Sequence, residues 1–265
     1  MEFKRSATIA LAVMAIALLS SCAPKAPAAG GTPTEQAPLS AVWWAAGDSV
    51  FAGVGAYNLG APAHLSGVSN VSVAGNVLVG ISILGNKQPT VMNQLQNTIA
   101  RNGGEVPENI ILHAGGADMF ARVQWAGADV TDRPGAKVAH LTVDDYTAEM
   151  QYITTYLENF GVTVWWTTII PSTVWSPEAQ VNTMRTSIND WMRANFGEHL
   201  IDCESAMTQP GTPWLNPTFN LSVIDGVHLN AKGAVAHANC IAAATGLQVD
   251  ATTPSPSTTE AEPAF

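Results

Sequence analysis

Apolar and polar positions alternate in blocks along the middle of the chain. Runs at residues 41–46, 68–74, 109–115, 162–169 and 200–205 are short, apolar and largely uninterrupted, as strands buried on both faces should be. Between them lie longer stretches of helical pattern at 89–102, 143–160, 177–196 and 231–245. Thr142 stands where an N-cap is expected and Gly161 just past the end of the second stretch. Ser176-Pro177-Glu178 opens the third with a cap-plus-proline start, and Gly197 closes it. The last, rich in alanine, stops at Gly246. Strands alternating with helices at this spacing predict an α/β domain with a parallel sheet covered on both sides. In open sheets of this kind, sites form beyond the carboxyl ends of the strands, where Ser49, Gly75 and Gly115 fall. Residues 116–141 read as a long connection, a candidate lid or specificity loop.

The ends of the chain differ from its middle. Lys4 and Arg5 precede an apolar stretch at 7–19, followed by Leu19-Ser20-Ser21-Cys22. Charge, a short apolar segment and then small residues form the pattern of an export signal, and the stretch falls short of the roughly 20 apolar residues that span a bilayer. The cysteine context resembles the bacterial lipobox, which implies cleavage before Cys22, a diacylglycerol on its sulfur and a lipid tether. An ordinary signal peptide with a coincidental cysteine is the alternative. Residues 22–38, with Pro24, Pro27, Pro33 and Pro38, and the tail 251–265, with Pro254, Pro256 and Pro263, carry few large apolar side chains. They read as a spacer and a disordered end. The expected organisation is a signal peptide at 1–21, a lipidated linker at 22–38, one domain at 39–250 and the tail. A body of about 210 residues can bury a core without help from metal.

Charge and cysteine usage narrow the function classes. The formal net charge is −10, with 11 Lys and Arg against 21 Asp and Glu and no basic cluster. Such a chain gains nothing from phosphate contacts, so nucleic acid is excluded as a partner, and membrane association should rest on the lipid rather than on a basic patch. With Cys22 lipidated, Cys203 and Cys240 remain as an even pair in an oxidising compartment. A bridge between them would close a loop worth roughly 4 kcal/mol in the chain-entropy model; two buried free thiols are the alternative. The histidines are scattered, without HExxH or CxxC spacing, so neither a metal nor another cofactor is expected.

Candidate chemistry sits at the two ends of the body. Gly47-Asp48-Ser49 closes the first apolar run, and Asp225-Gly226-Val227-His228 precedes the last helical stretch. A serine hydroxyl is a poor nucleophile at its free pKa and needs an imidazole in hydrogen-bond reach, itself fixed by a carboxylate. Ser49, His228 and Asp225 fill those roles as candidate catalytic residues. Asp48, at the start of a helix, reads as a cap accepting from neighbouring N–H groups.

In order along the body, the chain resembles the SGNH, or GDSL-type, hydrolase superfamily. Gly47-Asp48-Ser49 matches the first signature block, Val73-Ala74-Gly75-Asn76 resembles the second, His113-Ala114-Gly115-Gly116-Ala117-Asp118 the third, and Asp225-Gly226-Val227-His228-Leu229-Asn230 the last. The resemblance implies a flavodoxin-like, three-layer α/β/α sandwich with a central parallel five-stranded sheet, and ester hydrolysis or acyl transfer. It also implies an oxyanion hole built on the N–H groups of Ser49 and Gly75. Where the family's third block offers an asparagine side chain, this chain has Ala117. Losing one oxyanion donor typically costs roughly 10² to 10³ in rate. Asn76, beside the oxyanion glycine, could substitute, or could simply shape a turn.

Eight tryptophans are many for this length. Trp43, Trp44, Trp165 and Trp166 lie on predicted strands, where core packing explains them, whereas Trp125, Trp175 and Trp214 fall in loop-like stretches that could line an acyl or sugar pocket. The expected partners are a small-molecule, glycan or lipid ester and, through the lipid, the outer face of a bacterial membrane; no second subunit is expected. A non-catalytic envelope protein that keeps the fold to bind an acylated glycan or lipid, and an acyltransferase with the same triad, are the competing readings.

Overall fold

A computed structural model describes residues 39–83, 85–174, 178–221 and 225–250. The expected signal segment 1–21, Cys22 and the linker to residue 38, the tail 251–265, Trp175 and the Ser176-Pro177 helix start lie outside the described residues.

The elements follow in chain order. They begin with β1 (Trp43–Gly47), α1 (Ser49–Ala52), β2 (Val68–Asn70), β3 (Ile81–Ile83), β4 (Asn86–Lys87) and α2 (Val91–Arg101). Next come β5 (Asn109–His113), α3 (Gly116–Gln124), β6 (Asp129–Val130), α4 (Val143–Glu158) and β7 (Thr163–Thr167). The chain then runs through α5 (Ala179–Asn195), β8 (Leu200–Ile201), α6 (Glu204–Met207) and α7 (Ala231–Thr245).

Five of the strands make one sheet in the order β2-β1-β5-β7-β8, every neighbouring pair parallel. Because successive strand residues point to opposite faces, the apolar runs feed two cores. Trp44, Ala46, Ile110, Leu112, Val164 and Trp166 pack with Leu95 of α2, Met119 of α3, Met150 of α4 and Ile188 of α5. Ala45, Ile111 and Ile201 pack on the other side with Phe51, Leu65, Met207 and the α7 residues Ala238 and Ile241. Each fully buried Leu, Ile or Phe contributes about 1.5 to 3 kcal/mol, so a strand residue that switched face would lose a core partner. Helices on both faces of a parallel sheet make a three-layer α/β/α sandwich. Its strand order reverses direction between β1 and β5, and doubly wound sheets bind ligands at such a switch point.

Caps fix the ends of two of the long helices. Thr142 and Asp145 form a reciprocal capping box on α4, and Asn230 Oδ1 accepts from Gly233 N at 2.9 Å to start α7. Helix α7 ends in left-handed Gly246. A disulfide joins Cys203, just before α6, to Cys240 of α7, tying the end of the last sheet strand to that helix.

Residues 116–141, the expected lid or specificity loop, carry more regular structure than a long connection. Their first part is helix α3, and β6 then joins β3 and β4 in a small antiparallel sheet. The Arg122 guanidinium donates to the carbonyls of Val138 (2.8 Å), Leu141 (2.8 Å) and Ala139 (3.0 Å). One side chain donating to three carbonyls of one turn ties the end of this segment to α3. Among the described residues no helix is long and apolar enough to cross a membrane.

Candidate active site

Strand β1 ends at Gly47, and the chain turns at once into α1, which presents Ser49 at the carboxyl edge of the sheet. The last signature stretch reaches the same edge from the far end of the sequence. His228 Nε2 lies 2.9 Å from Ser49 Oγ, and His228 Nδ1 lies 2.8 Å from Asp225 Oδ2. The carboxylate accepts at Nδ1, which places the proton there and leaves Nε2 free to accept from the hydroxyl. Asp225 also accepts through Oδ1 from the N–H groups of Val227 (2.9 Å) and His228 (2.6 Å). Its burial favours the neutral acid, but the hydrogen bond from the His228 side chain and these two N–H groups outweigh that and hold the carboxyl below its ordinary range.

The loop that carries this pair is fastened by residues the motifs do not reveal. Ser172 Oγ donates to Gly226 O at 2.5 Å, Thr173 N donates to the same carbonyl at 3.0 Å, and Leu221 N donates to His228 O at 2.9 Å. Gly226 has φ of +64°, and a Cβ there would meet Thr173 Oγ1 at 2.3 Å, so both its backbone and its surroundings demand glycine. The sequence signal for Ser172 and Thr173 is weak: they follow an apolar run whose carboxyl end should face the site.

The turn holding Gly75 is tied to the nucleophile's strand by Val73 N donating to Gly47 O at 3.1 Å, and it closes through Asn76 N to Val73 O at 3.3 Å. Gly75 adopts φ of +83°. Asn76 is only 1% exposed, and its amide nitrogen donates to Gln94 Oε1 at 2.6 Å, while Gln94 donates to the Val71 carbonyl. The Asn76 side chain is thus engaged beneath the turn and shapes it.

Asp118, the final residue of the third block, joins blocks that are distant in sequence. Its carboxylate accepts from Leu78 N (2.7 Å) and Val79 N (2.9 Å), holding the segment after Gly75 against the start of α3. Complete burial pushes its pKa up to about 7; the backbone donors oppose the rise and the neighbouring Asp48 charge adds to it. Asp48 caps α1 by accepting from Val50 N at 3.0 Å. Trp44 and Trp166 are core residues, Trp125 packs edge-on against Phe120, and Trp214 is 45% exposed. Among the described residues no group of three or more His, Cys, Asp or Glu side chains is arranged to hold a metal ion.

No protein-family model and no curated protein matches this chain by sequence. Solved structures do match it. A G-D-S-L-family protein from Desulfitobacterium hafniense superposes with a TM-score of 0.54 at 12% identity, covering 77% of this chain and 99% of its own. For a GDSL-like lipase from Bacteroides thetaiotaomicron the values are 0.53 and 14%, with 77% and 87% coverage. For an acetyl xylan esterase they are 0.52 and 15%, with 77% and 100% coverage. At these identities the likeness is one of fold: this chain shares the overall architecture of these solved structures.

Proposed function

We propose that this chain is a serine ester hydrolase that removes ester-linked acyl groups from an envelope glycan or lipid. The observation that carries the reading is the continuous chain from Ser49 Oγ through His228 to Asp225, with steps of 2.9 and 2.8 Å. In the proposed reaction Ser49 Oγ attacks the ester carbonyl while its proton passes to His228 Nε2. Asp225 stabilises the imidazolium, and the oxyanion rests on the N–H groups of Ser49 and Gly75. Collapse expels the alcohol, which takes the proton from His228, and leaves an acyl group on Ser49. Water, deprotonated by the same imidazole, then releases the acid. Structural neighbours that include a GDSL-like lipase and an acetyl xylan esterase support an ester substrate. Anchoring to the outer face of a bacterial membrane through Cys22 belongs to the proposal and rests on the pattern of the first 22 residues.

A second reading, a binding protein that keeps the fold without turnover, is favoured by Ala117, which leaves the oxyanion without its side-chain donor. An acyltransferase uses the same residues and differs in whether water or an alcohol meets the acyl-enzyme. Hydrolysis of a short-chain nitrophenyl ester by the wild type and by Ser49→Ala separates enzyme from binder. The proposal expects turnover in the wild type and a loss of about 10⁴-fold or more in the variant, in line with nucleophile removal in other serine hydrolases. Equal rates in both, or none in either, would sink it.

A further inference from the structure

A second histidine–aspartate pair lies beneath Ser49, and the proposed reaction does not use it. His113 Nδ1 sits 3.2 Å from Asp48 Oδ1, with both side chains 1% exposed. That carboxylate oxygen also accepts from Val50 N at 3.0 Å, which makes it the cap of α1. Helix α1 is four residues long. A single turn has no cooperative stability of its own, so the orientation of Ser49 is set by what holds its two ends. At the front end that is Asp48.

Two neighbouring rings flank the His113 imidazole. Phe51 stacks on it at 5.1 Å and 24°, and the edge of His237 meets it at 5.5 Å and 73°. His237 is completely buried, and that burial holds its pKa well below the ordinary histidine range. The backbones are pressed together as well. Gly47 pairs with His113 across β1 and β5, and a Cβ on Gly47 would lie 2.3 Å from the His113 carbonyl oxygen. With the ring clamped and the strands in close contact, the imidazole directs its Nδ1–H at Asp48, and Asp48 directs its carboxylate at the first turn of α1.

We infer that His113 is a positioning residue for the nucleophile, acting through Asp48 to fix the α1 turn that carries Ser49. The inference rests on the reading of Ser49 as the nucleophile, but the mechanical link to the turn can be measured without turnover. His113→Phe keeps an aromatic ring between Phe51 and His237 and removes the donor. His113→Asn replaces the ring but can place an amide N–H where Nδ1 stands.

Two readouts test the link. In ester hydrolysis, kcat of His113→Phe should fall about tenfold with KM changed less than about twofold, the signature of a misaligned group rather than lost substrate binding. His113→Asn should recover most of that loss. In amide hydrogen exchange, the Val50 N–H should exchange about tenfold faster in the Phe variant and near the wild-type rate in the Asn variant, whether or not any ester is cleaved. Unchanged Val50 exchange in the Phe variant overturns the inference, as does an Asn variant that fares no better than Phe in exchange. Should His113→Phe fail to fold, Asn against wild type decides alone, and exchange at Val50 as fast as at the unprotected amides of the same protein overturns it. Absent turnover in the wild type with the exchange pattern intact would count against the proposed function and not against this link.

Discussion

Ser49 stands between two histidine–aspartate pairs of the same chemistry in different surroundings. His228 and Asp225 lie on the loop before α7, with side chains 19% and 25% exposed and a 2.8 Å contact. His113 and Asp48 lie between the ends of β1 and β5, each 1% exposed, at 3.2 Å. The outer pair touches the hydroxyl oxygen and reaches solvent, so a proton taken from Ser49 can later be passed to a leaving group or collected from water. The inner pair touches the Val50 N–H of the turn that carries the serine, and both its side chains are shut off from solvent. A shared residue pairing therefore says little about role; what decides it is whether the pair addresses the serine hydroxyl or the Val50 N–H of the turn behind it, and whether exchange with solvent is open.

The sharpest way to break this contrast is to disturb the carboxylate of the outer pair. Asp225→Asn keeps the side chain's shape but can present an N–H to His228 Nδ1, favouring the tautomer that cannot accept from Ser49. The expected loss in kcat is on the order of 10³ to 10⁴, with thermal stability little changed. A loss below tenfold would mean that the outer pair is not the working one.

Next in size is an effect of pH on the buried side. Asp118 is raised from 3.8 to about 7 by burial, with the Asp48 charge contributing. A carboxyl whose folded pKa exceeds its unfolded value is protonated in the fold at pH values where the unfolded chain has already released the proton. Its contribution to stability is therefore lost as pH climbs from about 4 through about 7, by on the order of 4 kcal/mol at most. Asp225, Asp202, Glu204 and Asp145, all held low, act in the opposite sense, losing their contribution on acidification. The difference between wild type and Asp118→Asn in urea unfolding at a series of pH values cancels them. It should show the wild type losing stability relative to the variant between pH of about 4 and about 8; parallel curves would contradict this. The smallest expected effect is the roughly tenfold change on removing the His113 donor, described above.

The legible and illegible parts of the molecule divide along the same line. Helix α7 spans 231–245 as its pattern predicts, because both its signals are local: a capping asparagine at 230 and a left-handed glycine at 246. The strands are shorter than their apolar runs. Strand β2 covers Val68–Asn70 of the run 68–74, after which only single hydrogen bonds from Val71 N and Val73 N reach β1, and Leu200–Ile201 at the other edge pairs for two residues. Helix α3 is hidden because its cap is Gly115 with no side-chain hydrogen bond, so the usual start signal is missing. The small sheet escapes because strands of two or three residues are too short to show a period. In the site, Ser49, Asp225 and His228 stand out through motif chemistry, whereas His113 becomes meaningful only through the register that sets it opposite Gly47. Such a long-range pairing leaves no trace in local pattern.

Covalent labelling of Ser49 by a fluorophosphonate, read by peptide mass spectrometry, tests the central claim most directly because it needs no knowledge of the substrate. The account predicts one adduct, on Ser49, forming at a rate that collapses in His228→Ala. An unlabelled Ser49 in the folded wild type, or labelling at the same rate without the imidazole, would contradict it.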